Sequence, residues 1–422
     1  MPKARDIALK ALLKVNKDLA YSNITLNNIL QSKSLPQTEK AFLTALFYGV
    51  LDRKITLDYV LDKATNKPFS KVSPFTAEVL RLALYQIMYM DNVPDSAAVN
   101  EAVKQIKASK ERYNSGFVNA VLRSILRNGV QIPSDNSLYS LSIRYSCPVW
   151  IIEGFINDYG LSETLWLLEA SLNQPPVTLR VNTLKTTKEE LVNSFNENGI
   201  KADVVDETDA VIINGFWGGE ESHLYKQGLF HAQDLSSQYT IKQFGLKCGE
   251  RVLDMCAAPG GKSFTMAQYV GGNGSVVSCD IYENRVSLIK NGAERLGLSN
   301  IKTTLLDATK YNGELGKFDA VLCDVPCSGL GIMRRKPDIK YKKVDELEAL
   351  QQTQLDILEN AVNYLSENGR IMYSTCTLRK GENEENIARF LEKHKEFKLI
   401  YQYTFMPHKD NTDGFFAALL GR

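Results

Sequence analysis

From Ala4 to about Asn128 the apolar positions recur at helical spacing. Ile7, Ala11, Leu12 and Val15 share one face, Phe42, Leu46 and Val50 share another, and Leu80, Leu82, Leu84 and Ile87 continue the pattern. Breakers at Ser34–Pro36, Lys67–Pro68, Ser73–Pro74 and Val93–Pro94 divide this stretch into a bundle of roughly six or seven helices. The last opens at Asn114-Ser115-Gly116 and carries Arg123 and Arg127, four apart, on one face. Asn128 to Ser137 is polar, is interrupted by Pro133, and is expected to be a linker. Pro148–Asp158 and Ser162–Leu172 are again helical in pattern. A small mixed unit follows: a strand over Val177–Val181, a helix over Lys188–Asn198, and strands near Ala202–Val205 and Ala210–Ile213. Thr187 and Glu190 have the spacing of a capping box for that helix.

At Gly249 the rhythm changes to strands alternating with helices. Strands are expected over Arg251–Met255, Ser275–Asp280, Ile301–Leu306, Phe318–Cys323 and Gly369–Ser374. Helices are expected over Ser263–Tyr269, Glu283–Leu296, Leu347–Leu365 and Asn383–His394. This alternation predicts an α/β fold with a doubly wound, Rossmann-like parallel sheet that binds ligands at its strand ends. Leu399–Tyr403 and Phe415–Leu420 suit an antiparallel edge hairpin. The expected organisation is a helical domain over 1–130, an intermediate α+β module over 140–240, and the sheet domain over 241–422.

Composition fits this picture, with 44% hydrophobic and 23% charged residues in a chain of 422. No apolar run approaches the roughly 18–20 residues needed to span a bilayer. The first residues lack a secretory segment, so a soluble, cytoplasmic protein without a membrane partner is expected. All seven cysteines lie at or beyond Cys147, which is no disulfide framework. No Cys-x-x-Cys pair occurs and there are only four histidines, so no metal site is expected. The net charge of +1 conceals an asymmetry: residues 1–130 hold 19 Lys/Arg against 11 Asp/Glu, leaving 31 against 38 in the remainder. A basic helical part suits contact with a polyanion.

The turn Ala257-Ala258-Pro259-Gly260-Gly261-Lys262 follows a strand and opens a helix, so its glycines and free N–H groups suit close approach to a ligand. Its spacing matches neither a dinucleotide fingerprint nor a phosphate loop. Asp280, Asp307 and Asp324 each close a strand, and Asp280 lies where an acid accepts both ribose hydroxyls. Three acids in register with a glycine turn favour a neutral or cationic nucleoside lacking phosphates. S-adenosylmethionine fits.

Two cysteines narrow the reaction. Cys327 lies in Asp324-Val325-Pro326-Cys327 and Cys376 in Ser374-Thr375-Cys376-Thr377, after successive strands. Carbon 5 of cytosine is a weak nucleophile until a thiolate adds at carbon 6. Asp324, protonated or sharing a proton with ring nitrogen 3, would relieve the charge that then builds on the base. The other cysteines, Cys147, Cys248, Cys256, Cys279 and Cys323, read as small buried hydrophobes.

These residues resemble the RNA 5-methylcytosine methyltransferases, and nearly the whole chain is similar to the bacterial branch called Sun, Fmu or RsmB. Phe117 to Arg123 carries a likeness to NusB, an RNA-binding antitermination factor. Arg180 to Lys185 and Gln233 to Gln238 resemble family signatures. The resemblance implies that Cys376 is the nucleophile and that Cys327 assists breakdown of the adduct. It implies an S-adenosylmethionine site built from Cys256 to Lys262 with Asp280, Asp307 and Asp324. It implies a cytosine of 16S rRNA as substrate, free or within a partly assembled small subunit, unstacked into the pocket of a monomeric enzyme. Arg334-Arg335-Lys336-Pro337-Asp338 is expected to clamp phosphates of the target strand.

After Cys376 the sequence runs Thr377-Leu378-Arg379-Lys380-Gly381-Glu382-Asn383-Glu384, where relatives often have Pro-Glu-Glu-Asn; the acidic helix start is retained. Three other readings stay open at this level: nucleophilic attack by Cys327, methylation of tRNA by the same core, and an RNA-binding assembly factor with a silent catalytic domain.

Overall fold

The computed structural model describes residues 4–18, 22–32, 35–215, 217–342 and 344–422. It forms two compact units, one of Met1–Asn173 with Met333–Lys342, the other of Gln174–Ile332 with Lys343–Arg422.

The first unit is helical: α1 (Ala4–Asp18), α2 (Ser22–Ser32), α3 (Gln37–Asp52), α4 (Lys54–Ala64), α5 (Pro74–Tyr89), α6 (Asp95–Lys107), α7 (Ser115–Asn128), α8 (Leu138–Tyr145) and α9 (Val149–Ser171). Pro74 sits in the first turn of α5, where its missing N–H costs nothing. Gly129 ends α7 with φ 73°. Most of the periodic residues named above form the core, with Ile7, Leu12, Leu46, Val50, Leu80 and Leu84 all buried and Phe42 and Ile87 half-buried against it. α8 arises inside a stretch without a clear apolar period, because the Ser137 side chain accepts the Ser140 N–H and caps it. The two helices expected beyond Pro148 meet at Gly160, whose φ of 79° interrupts α9.

Met333–Lys342, although it lies late in the chain, packs within this unit. Lys340 is wholly buried and its Nζ is 2.6 Å from Asp52 Oδ1. The Tyr341 hydroxyl donates to the Leu51 carbonyl at 3.0 Å. In the basic run expected as a clamp, Lys336 is exposed while Arg334 and Arg335 are half-buried.

The second unit holds two sheets. In the smaller, β1 (Val177–Val181), β2 (Lys201–Val204), β3 (Ala210–Asn214) and β4 (Phe230–Ala232) pair antiparallel in the order β2-β3-β1-β4. The capping box that opens α10 (Lys188–Glu197) is present, with Thr187 and Glu190 exchanging hydrogen bonds of 3.2 and 3.0 Å. Leu191 and Phe195 of this helix join the core of the small sheet, with Leu179, Val211 and Phe230. A short α11 (His223–Lys226) precedes β4, and α12 (Leu235–Gln243), capped by Asp234, leads into the larger sheet.

The larger sheet contains β5 (Arg251–Asp254), β6 (Ser275–Asp280), β7 (Ile301–Leu305), β8 (Phe318–Asp324), β9 (Leu365–Thr375), β10 (Lys398–Phe405) and β11 (Phe415–Gly421), in the order β10-β11-β9-β8-β5-β6-β7. β5 to β9 are parallel and the last two form the antiparallel edge. The chain winds outward in both directions from β5, so the crevice beyond β5 and β8 is the switch point where such sheets bind ligands. Along β8, Ala320 and Leu322 pack to one side and Val321 and Cys323 to the other. A strand covered on both faces reads as one apolar run. The crossover helices are α13 (Gly261–Val270), α14 (Glu283–Leu296), α15 (Asp345–Ala361) and α16 (Glu384–Lys393). No helix among the described residues is long and apolar enough to cross a membrane.

Candidate active site

The ends of β5, β6, β8 and β9 bring most of the expected residues together. Asp254 closes β5 and is fully buried; its Oδ2 accepts the Ser263 hydroxyl at 2.6 Å, and its Oδ1 has no hydrogen-bond partner. Burial pushes this carboxyl up to about 7, against the Ser263 hydrogen bond and with help from the Asp324 charge. Beyond it the turn is pinned by the Ala257 N–H on the Cys279 carbonyl (2.7 Å) and the Gly260 N–H on the Ala257 carbonyl (2.8 Å). Gly260 has φ 112°, and a Cβ there would lie 2.4 Å from the Phe264 ring, so only glycine fits. Cys256 and Pro259 lie in the same turn.

Asp280 ends β6, almost wholly buried, with Oδ1 accepting the Tyr282 N–H at 3.1 Å and Oδ2 3.4 Å from Arg285. Asp307 lies two residues beyond β7 and is half-buried. It turns back on its own loop, accepting the Thr309 N–H and hydroxyl at 3.1 and 2.7 Å and pairing with Lys310 at 2.9 Å. The Thr309 hydroxyl first, then Lys310, hold its carboxyl below the ordinary value.

Asp324 closes β8. Its Oδ2 is 2.8 Å from Lys262 Nζ and its Oδ1 accepts the Ser374 hydroxyl at 2.8 Å. Burial would pull the Lys262 ammonium down, but the groups around it, Asp324 first, together hold the pKa above its ordinary value. The Cys327 and Cys376 sulfurs are 3.2 Å apart. The Cys327 thiol is pushed well up, first by its hydrogen bond to Cys376 and then by burial, and either sulfur can be the donor of that bond.

The remaining cysteines are elsewhere. Cys147, Cys279 and Cys323 are buried, and burial raises each thiol, Cys147 to about 12. Cys248 departs from the expected buried state: it is exposed, in the polar loop Lys247–Glu250 between α12 and β5. Among the described residues no group of three His, Cys, Asp or Glu side chains is placed to hold a metal.

Asp254 was not among the expected site residues, although it ends β5 as Asp280 ends β6 and Asp324 ends β8; the same strand-end rule identifies it. The Arg180–Lys185 signature ties the small sheet to the large one. Arg180 is buried and pairs with Asp209 at 2.7 Å, while Asn182 Nδ2 donates to the Gly228 and Leu296 carbonyls, each at 2.8 Å. In the second signature, Gln233 accepts the Thr265 hydroxyl of α13 at 2.8 Å.

Comparison with known proteins gives the architecture its family. Residues 243–421 match the family 16S rRNA methyltransferase RsmB/F, residues 2–127 match the NusB family, and residues 147–216 match the RsmF/B-like ferredoxin-like domain. A probable ribosomal RNA small subunit methyltransferase B of Bacillus subtilis (strain 168) is 38% identical, over 98% of this chain and 97% of that protein. The chain belongs to this methyltransferase B family. A second relative, from Synechocystis, is 31% identical over 100% of this chain and 99% of its own. The solved structure of PH0851 superposes with a TM-score of 0.85 at 25% identity, covering 100% of this chain and 99% of that one.

Methyltransferases of this family depend on S-adenosylmethionine. The residues present suit that group. The acids at the ends of β5, β6 and β8, the first two buried and one with an unpartnered oxygen, complement a cation.

Proposed function

We propose that the protein transfers a methyl group from S-adenosyl-L-methionine to carbon 5 of a cytosine in 16S rRNA, through a transient bond between the base and Cys376. The observation that carries this reading is the pair of sulfurs 3.2 Å apart on the loops after β8 and β9, next to the Lys262–Asp324 ion pair. Cys256 to Lys262, Asp280, Asp307 and Asp324 would hold the cofactor, with Asp254 added by its unpartnered oxygen. Bound there, S-adenosylmethionine supplies the electrophilic sulfonium methyl that an activated carbon 5 takes.

The side chains divide the remaining work. While the raised Cys327 thiol keeps its proton, Cys376 is the nucleophile and attacks as its thiolate, its own proton passing to solvent. Its sulfur adds to carbon 6, and the electron pair of the 5,6 double bond moves into the ring toward nitrogen 3. Nitrogen 3 takes up a proton from solvent as that charge builds, and the Asp324 carboxylate, held by Lys262 and Ser374, accepts a hydrogen bond from the new N–H. Once Cys376 is a thioether it no longer draws the Cys327 hydrogen bond, which is the largest cause of the raised pKa. The Cys327 proton then passes to solvent. The resulting thiolate takes the proton from carbon 5, the carbon–sulfur bond breaks, and Cys376 leaves as its thiolate.

Residues 1–130 would supply RNA contact and 241–422 methyl transfer; of the module expected over 140–240, the part up to Asn173 belongs to the helical unit and the rest to the second. The turn before α7 and its outer face support the first part: Arg112, Tyr113, Phe117, Arg123 and Arg127 are all exposed, combining cations with stacking surfaces. Assayed on 16S rRNA, Cys376→Ala is expected to abolish transfer, while Cys327→Ala is expected to leave protein covalently attached to RNA. Trapping by Cys376→Ala instead would reverse the two roles. A protein that methylates with neither thiol would refute covalent activation.

A further inference from the structure

Cys327 and Cys376 are 49 residues apart in sequence, on separate loops, yet their sulfurs are 3.2 Å apart. Strand pairing fixes only the roots of these loops, with Asp324 opposite Ser374. Beyond the roots, the Gly331 N–H donates to the Cys376 carbonyl at 3.0 Å, and the residues that flank the two cysteines are held by the neighbouring pair Glu382 and Asn383. Glu382, with no exposed surface, sits in the helical turn Lys380–Glu382 that precedes α16.

Its Oε2 accepts the backbone N–H of Ser328 at 2.9 Å, from the residue after Cys327. The same oxygen accepts Gln354 Nε2 at 2.9 Å, and that amide also donates to the carbonyl of Pro326, the residue before Cys327, at 2.9 Å. Both neighbours of Cys327 are therefore held. On the other loop, Asn383 accepts the Thr375 hydroxyl at 2.6 Å and donates to the Thr377 carbonyl at 3.0 Å, so both neighbours of Cys376 are held by the next residue in sequence. The Tyr373 hydroxyl of β9 donates to the Glu382 carbonyl at 2.6 Å, and Ser328 meets Thr377 at 2.7 Å.

A carboxylate is an expensive choice for such a staple. Glu382 Oε1 has no hydrogen-bond partner, and Arg379 Nη1 lies 3.9 Å away. Glutamine would fill the same space without burying charge. The negative charge acts on Cys327, where it favours the protonated thiol during the attack and opposes the thiolate that release needs.

We propose that Glu382 is a positioning residue: through Ser328 and Gln354 it sets Cys327 against Cys376, and it governs release of the methylated base more than the first attack. This rests on the roles given to the two thiols above. The test uses the full-length chain with 16S rRNA and S-adenosylmethionine. It follows single-turnover methyl transfer separately from decay of the denaturant-resistant protein–RNA adduct, across pH.

Glu382→Ala is expected to slow adduct decay about tenfold or more while methyl transfer changes by less than about threefold. Glu382→Gln keeps the size and loses the charge, so the pH at which decay accelerates is expected to move lower. That shift carries the test should the alanine variant fail to fold. Decay and transfer falling together in both variants, with an unmoved pH profile, would make Glu382 a structural prop and overturn the proposal. So would unchanged decay in variants of a protein whose Cys327→Ala form still traps RNA. Failure of Cys327→Ala to trap any RNA would instead remove the thiol assignment on which the proposal stands.

Discussion

The ends of β5 and β6 and the ends of β8 and β9 belong to one sheet, yet different kinds of contact hold them. On the β5–β6 side most of the contacts are between near neighbours, Gly260 on Ala257, Ser263 on Asp254 and Tyr282 on Asp280, with Ala257 on Cys279 the longer reach. On the β8–β9 side the partners come from far along the chain, with Lys262 on Asp324, Glu382 on Ser328 and Gln354 on Pro326. A ligand cradle tolerates being assembled locally because the ligand completes it. Two thiols that must act in turn on one ring atom pair need their spacing set beforehand. The first side should therefore answer to mutation mainly in affinity, and the second mainly in rate.

The largest effect is expected at the join between the two sides. Asp324→Asn leaves the mostly buried Lys262 ammonium without its counter-charge and withdraws the proton partner of the ring. A fall of roughly a hundredfold in kcat is expected, with a stability loss of about 3 kcal/mol from the orphaned cation. A change confined to KM for S-adenosylmethionine would place Asp324 wholly on the cofactor side and erase the contrast.

The same contrast separates what the sequence discloses from what it does not. β6 and α14 have the bounds expected of them, and the strand-end acids Asp280 and Asp324 were found by position, since local pattern and local structure coincide there. Glu382 looked like part of an acidic helix start. Its burial depends on Ser328, 54 residues earlier, and no periodicity encodes that distance. Asp307 carries the same strand-end signal as its neighbours but spends its oxygens on its own loop. Asn182 is a middle case, visible as part of a signature though not as a clamp. Asn182→Ala strips a partner from two carbonyls in a buried setting, and a loss of about 2 kcal/mol in stability is expected with kcat nearly unchanged. Denaturant unfolding beside steady-state kinetics checks both halves, and a large drop in kcat would show that the small sheet shapes the site directly.

The smallest effect isolates charge on the cofactor side. Asp254 has a folded pKa of about 7 against an ordinary 3.8. A carboxyl raised in the folded state lends stability below its unfolded pKa, and that contribution fades as pH rises from about 4 to about 7. A cationic ligand reverses the preference, because it favours the ionised form and expels the proton. S-adenosylmethionine affinity should therefore climb between about pH 5.5 and 7 and then level off. In Asp254→Asn the climb should vanish, with affinity at pH 8 reduced only about threefold to tenfold, while the variant gains stability of the order of 2 kcal/mol at pH 8 and little at pH 4. Calorimetric titration of the cofactor in buffers of differing ionisation heat reads the proton directly. Wild-type binding that releases none, with the same pH slope in the variant, would mean the unpartnered oxygen faces away from the cation, and the acids of this half would then serve the fold alone.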